Sequence, residues 1–194
     1  MLEFLTGTGL AVAAGLNAYV PLLALGLAGK FLTFVSLPAG WNWLSNDWVL
    51  GIIAVLLVIE IVADKIPVVD SINDWVQAVV RPASGGIVFG TGAASETLAV
   101  ADPASFFSGS QWIPIATGIA MALGVHVAKS SVRPLLNSLT GGIAAPVASS
   151  LEDLGSVLLS VLALLLPILV VAVIAVSVVT LVLALRRMLR SKTS

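Results

Sequence analysis

The sequence predicts an all-α, polytopic membrane protein, a bundle of about five or six transmembrane helices with an internal repeat and with Gly/Pro-rich segments that break or re-enter. Three observations predict it. Hydrophobic residues make up 59% of the 194-residue chain and charged residues only 10%, against about 25% charged in an ordinary soluble domain, too few to build a water-facing surface all round. The apolar residues come in blocks near the ~20 that a helix needs to cross a ~30 Å hydrocarbon core. Val161 to Leu185 is apolar on every face apart from Ser177 and Thr180, whereas a membrane barrel alternates apolar and polar residues in strands of about 10.

Taken in order, the first apolar segment runs from Phe4 to Ala28 and contains Gly7, Gly9, Gly15, Asn17, Tyr19, Pro21 and Gly26. The glycines predict close helix packing and Pro21 a kink or break. Glu3 is the only early charge, unlike the basic start of a cleavable signal, so the segment reads as a retained helix. Trp41, Trp43 and Trp48, with Asn42, Asn46 and Asp47, have the composition of an aromatic belt at a membrane face. A second segment, Val49 to Ile66, stops at Pro67, and is followed by Asp70, Asp74, Arg81-Pro82 and a Gly-rich stretch from Gly85 to Ala94.

Beyond Asp102-Pro103 and Trp112, the span Ile113 to Ala128 ends in Lys129, Arg133 and Pro134. Thr140 to Ser150, with Gly141, Gly142 and Pro146, is too short and broken for an ordinary span and reads as a re-entrant hairpin covered by protein. Leu154 to Leu185 would measure about 48 Å as one helix at 1.5 Å per residue, so Pro167 is expected to divide it. The basic tail over 186–194, with Arg186, Arg187, Arg190 and Lys192, places the C-terminus on the cytoplasmic side of the cell membrane by the positive-inside rule. The whole of 1–194 reads as one integral membrane domain.

Two stretches resemble each other, approximately 51–98 and 118–154. Without a gap, Gly51, Pro67, Asp70 and Ser71 fall opposite Gly118, Pro134, Asn137 and Ser138, and Gly85-Gly86-Ile87 precedes Glu96 by the interval at which Gly141-Gly142-Ile143 precedes Glu152. Internal repeats with interrupted helices typify transporters, whose sites lie where the repeats meet.

Net charge is −1 and there is no cysteine. That removes a basic surface for nucleic acid, thiolate chemistry and Cys-ligated metals. No Gly-rich phosphate loop with its Lys and Ser/Thr is present, which sets nucleotide hydrolysis aside. The chemistry-bearing residues are those that interrupt apolar helices. Glu60 and Asp64 lie one turn apart on one face, and an unpaired charge at bilayer depth costs several kcal/mol, from ~3 upward. With Asp70, Asn137 and Glu152 they form the candidate transport or cation site, since carboxylates and amide oxygens suit a hard cation or a proton. His126, Lys129 and Arg133, at i, i+3 and i+7, form a basic face for an anionic headgroup or serve as counter-ions to Glu60. In the plainer alternative, Asp64, Asp70 and Asp74 sit at the membrane surface with Lys65 and Arg81 as ordinary neighbours, and the helix charges are structural salt bridges.

The set Gly15-Leu16-Asn17-Ala18-Tyr19-Val20-Pro21-Leu22, Glu60-x3-Asp64-Lys65-Ile66-Pro67-x2-Asp70-Ser71 and His126-x2-Lys129-x3-Arg133, followed by Gly141-Gly142, Pro146, Ser149 and Glu152-Asp153, resembles the bacterial and plant membrane family "domain of unknown function 4126". The resemblance runs from about Gly7 to Asp153. It implies a compact multi-pass membrane domain and no particular activity.

The leading functional expectation is a small membrane transporter or channel, for a cation, with an acidic site at the repeat interface. The alternatives are a membrane enzyme or binding protein acting on a lipid phosphate, and a non-catalytic assembly protein. No cofactor is predicted beyond a bound cation, and the metal, if one binds, is unspecified. Expected partners are membrane lipid and further copies of the chain, because so few helices favour a homo-oligomer.

Overall fold

Residues 2–92, 112–140 and 144–191 are described in the computed structural model, and every regular element among them is helical. In chain order these are α1 (Leu2–Leu16), α2 (Tyr19–Phe31), a 3₁₀ helix (Ala39–Ser45), α3 (Asp47–Ala63), α4 (Pro67–Gly92), α5 (Trp112–Thr140), α6 (Ala144–Leu165) and α7 (Pro167–Ser191).

α1 is the central post. It packs on α4, α5, α6 and α7 and buries Gly7, Gly9, Leu10, Ala11, Ala13, Ala14 and Gly15. Small residues allow this, because apolar side chains gain nothing from leaving lipid and helix association depends on close backbone approach. At Gly15 a β-carbon would come within 2.5 Å of Val125 Cβ and 2.7 Å of the Ala122 carbonyl. At Gly9 it would lie 2.7 Å from Ala163 Cβ. The largest interface joins α4 to α5, where Gly85 faces Gly118 and Ala122.

The first apolar segment does break, four residues earlier than Pro21. Asn17 accepts hydrogen bonds from Tyr19 N at 3.0 Å and Val20 N at 3.1 Å, satisfying amides at the start of α2 as a capping side chain does. Pro21 then falls in the first turn of α2, where a missing N–H costs nothing. Three other helices donate to carbonyls around the break, one of which, Ala13 O, also accepts from Asn17 N at 3.0 Å. Ser84 on α4 donates to Ala18 O at 2.5 Å, Lys129 on α5 to Leu16 O at 3.3 Å, and Ser156 on α6 to Ala13 O at 3.0 Å. Asn17 also donates to Asp153 Oδ1 at 2.9 Å. Asn17→Ala is therefore expected to cost about 1–2 kcal/mol as a lost cap, read as a lower midpoint of unfolding in detergent.

Other expectations are corrected. Among the described residues, two helices are long and apolar enough to cross a membrane, Trp112–Arg133 and Pro146–Leu165, or three if the 3₁₀ helix and α3, bent by 61°, form one span. That is fewer than five or six. α1 and α2 have only 15 and 13 residues because Asn17 divides them, and α4 carries Asp70, Asp74 and Arg81 within its length. Gly85 and Gly86 do not re-enter; they lie inside continuous α4, as packing positions. Pro134 does not end its helix, since α5 runs on to Thr140. Pro146 to Ser150 open the 22-residue α6 rather than a hairpin, while Gly141 and Gly142 lie outside the described residues. Pro167 divides the last segment as expected, at the start of α7.

The two stretches matched in sequence take different shapes. A β-carbon on Gly51 would meet nothing within 4 Å, whereas one on Gly118 would strike Gly85. α3 stops ahead of Pro67 and α5 passes through Pro134. Their common punctuation thus serves different packing roles, and Glu96 lies outside the described residues.

Candidate functional site

α3 delivers Glu60 and Asp64 to its C-terminal end, where Asp64 N donates to Glu60 O at 2.9 Å. Carboxylates at a helix C-terminus oppose the helix dipole, so cations from other helices must hold them. Glu60, expected to pair with Lys129, Arg133 or His126, pairs instead with Arg81 on α4. The Arg81 Nη2 donates to Glu60 Oε1 at 3.0 Å and lies 3.6 Å from Asp64 Oδ2. Its Nη1 is 3.3 Å from His126 Nδ1. Arg81 is 0% exposed and Glu60 1%, so the arginine read as a surface neighbour is the most buried charge of the cluster.

Lys129 and Arg133 extend this seam along α5. They lie 3.9 and 3.8 Å from Asp64 Oδ2 and converge at 2.6 and 3.0 Å on one oxygen, Glu152 Oε2, from α6. The spacing i, i+4 puts both cations over one another on the helix face that packs inward, and both are buried. Asp64 is tethered by Asn73 Nδ2 at 2.7 Å, and Asp153 by Asn17 and by Lys65 at 3.8 Å. Among the described residues, Glu60, Asp64 and Glu152 thus stand against Arg81, Lys129 and Arg133 in balanced number. The pairing is not saturated, since Glu60 Oε2, Gln77 Oε1 and Arg81 Nε are buried with no hydrogen-bond partner among the described residues.

Of the acidic candidates, Glu60, Asp64 and Glu152 join one network. The side chains of Asp70 and Asn137 lie outside the described ones. Among the described residues, no group of three or more His, Asp or Glu side chains converges as metal ligands would. Sequence reasoning missed Arg81, Asn17, Asn73 and Ser84. The available signal was the spacing of Gln77, Arg81 and Ser84, at i, i+4 and i+7 of one helix and all buried, which marks a polar stripe turned inward.

Beside the seam lies a groove of about 470 Å³ between α1, α5, α6 and α7. Val12, Leu16, Val125, Leu159 and Ile174 form apolar walls, and Lys129, Arg133 and Glu152 are its charged residues. Because α6 runs antiparallel to α5, pairing Glu152 with Arg133, the charges gather at one end and Gly124 and Leu159 lie toward the other. From Gly124 to Arg133 the helix rises about 13 Å. A β-carbon on Gly124 would point into open space. The volume falls within the ~300–1,000 Å³ of small-molecule sites, which are commonly apolar with a few placed polar groups.

No curated protein and no solved structure shows a significant match to the chain. The family model described as "Domain of unknown function (DUF4126)" matches residues 4–187, nearly the whole chain, including α7 beyond the motifs that first suggested it. On that match the chain belongs to the family of the domain of unknown function 4126.

Proposed function

We propose that the protein is a membrane carrier for an amphiphilic anion, holding one acyl or alkyl chain in the apolar groove and a phosphate or carboxylate headgroup at Lys129 and Arg133. The observation that carries this is the groove itself, whose walls are apolar and whose charged end presents two cations and one carboxylate. An anionic headgroup would meet those two cations there, as headgroups meet basic pockets between membrane helices. The break at Asn17 supports carriage over static anchoring, because interrupted helices at a binding site are the usual device of carriers, and Leu16 joins the break to the groove wall.

A cation carrier is less well supported. Glu60, Asp64 and Glu152 each already face a cationic nitrogen within 4 Å, so an incoming cation would have to expel a buried arginine or lysine. Acid–base catalysis on a lipid phosphate meets the same objection, since the Glu60–Asp64 pair is engaged as counter-ions to Arg81. In this reading membrane lipid is the partner, the cell membrane the location and the basic tail cytoplasmic, with self-association a further expectation.

The test is binding to the purified protein in a neutral detergent. Dodecyl phosphate is expected to bind about tenfold or more tightly than dodecyl phosphocholine, the worth of one charge-assisted contact. Gly124→Leu, which fills the groove without touching the seam, is expected to weaken dodecyl phosphate by a similar factor. Equal binding of the two amphiphiles, or full affinity in Gly124→Leu, removes the reading.

A further inference from the structure

The two cations at the headgroup end are held by two carboxylates of different character. Asp64, on the inner side, is 3% exposed and is anchored independently, by Asn73 at 2.7 Å and by Arg81 at 3.6 Å. Glu152, on the groove side, has a side chain 17% exposed against 4% for Lys129 and 6% for Arg133. A single oxygen, Oε2, receives both cations. The backbone beneath it does not depend on that contact, because the next residue, Asp153, ties α6 to Asn17 and Lys65. Glu152 therefore is, among the described residues, the carboxylate that can leave Lys129 and Arg133 while α6 stays docked and Asp64 stays paired.

Resting on the amphiphile reading, we propose that Glu152 is a resident stand-in for the ligand headgroup. Its carboxylate closes the cation pair when the groove is unloaded and is exchanged for the phosphate or carboxylate of an incoming amphiphile. The electrostatics favour exchange over simple addition. Among the described residues, these two cations face two carboxylates and are already balanced, and a further anion brought into a water-poor site would be unpaired, at a cost of several kcal/mol. Replacing one oxyanion by another keeps every buried charge compensated. Arg133 and Lys129 would then meet the headgroup as they meet Glu152, with charge-assisted hydrogen bonds. Glu152 sets affinity by competition, so the native site binds more weakly than its cations alone would, which suits a carrier that must also release.

Glu152→Gln preserves size and an acceptor oxygen but removes the competing charge. It is expected to bind dodecyl phosphate about tenfold or more tightly than the native chain, the factor belonging to one charge-assisted contact, with dodecyl phosphocholine changed by less than about twofold. Glu152→Asp, which keeps the charge but withdraws it by one methylene, is expected to shift dodecyl phosphate in the same direction by a smaller factor and serves if the glutamine variant fails to fold. Inorganic phosphate, as a competitor, separates a lipid headgroup from a free anion, and is expected not to displace dodecyl phosphate at equal concentration. Several outcomes overturn the proposal: no gain or a loss of dodecyl phosphate affinity in the folded variants, an equal gain for both amphiphiles, or displacement by inorganic phosphate at equal concentration. If the native chain binds dodecyl phosphate but the variants gain nothing, the exchange role alone fails. If neither native chain nor variants bind it, the groove reading fails with it.

Discussion

Arg81→Leu is expected to lower the unfolding free energy in detergent by about 3–5 kcal/mol, the cost of removing one partner from a buried ion pair. Leucine is smaller than arginine and brings no clash, so the loss is electrostatic rather than steric. Glu60 Oε1 would lose its donor at 3.0 Å and Asp64 its neighbour at 3.6 Å; Asp64 would keep Asn73 at 2.7 Å and Lys129 and Arg133 at 3.9 and 3.8 Å, while Glu60 would keep no cation within 4 Å among the described residues. Adding Glu60→Gln to Arg81→Leu should restore much of the stability, because it removes the charge that the first change stranded. The internal control is Lys30, whose partner Asp47 is 82% exposed. Lys30→Ala should shift the same midpoint by no more than about 1 kcal/mol, as water-facing pairs do. A comparable shift for Arg81→Leu and Lys30→Ala would mean that the seam is solvated and not the interior of the bundle.

That contrast shows which parts of the molecule are legible in sequence. Helical class follows from composition, because no other secondary structure satisfies its backbone alone in an apolar phase. Glu60, His126, Lys129 and Arg133 are also legible, since a charge inside an apolar run demands a partner. Which charge it meets is not. Arg81 lies beside Pro82 and between stretches that read as a surface connection, and only the continuity of α4 through Pro82 brings it beneath Glu60. Prolines mark helix boundaries at some positions and not at others. Pro67 and Pro167 stand at helix starts, Pro82 and Pro134 lie inside helices, and Pro21 follows a break that Asn17 makes. A proline removes one donor wherever it sits, and whether the chain breaks there depends on which tertiary groups collect the freed carbonyl. Similarly, Gly85-Gly86 reads equally as a turn or as a packing surface. Gly118 decides it by facing Gly85.

Gly118→Leu is expected to abolish accumulation of folded protein in the membrane. A β-carbon there would overlap the Gly85 carbonyl oxygen and lie 2.5 Å from Phe89 Cβ. Gly85 in turn presses its own absent side chain toward Ala122 and toward the Gly118 carbonyl at 2.6 Å, so the clash is with backbone on both sides and no rotamer change relieves it. Overpacking a well-filled core costs about 1–3 kcal/mol when side chains can yield, and more when they cannot. Here the only relief is to move α4 away from α5, and those helices carry Arg81 against His126 and, through α3 and α6, the rest of the seam. Opening this interface therefore compounds a steric cost with the loss of buried charge pairing. Gly124→Leu on the same helix six residues later introduces the same side chain at the same depth of apolar sequence, but its β-carbon meets nothing within 4 Å, so it should accumulate and unfold like the native chain. Measuring both by membrane-fraction yield and detergent melting separates close packing from mere intolerance of bulk on α5. Normal yield of Gly118→Leu would mean that α4 and α5 do not meet at Gly85.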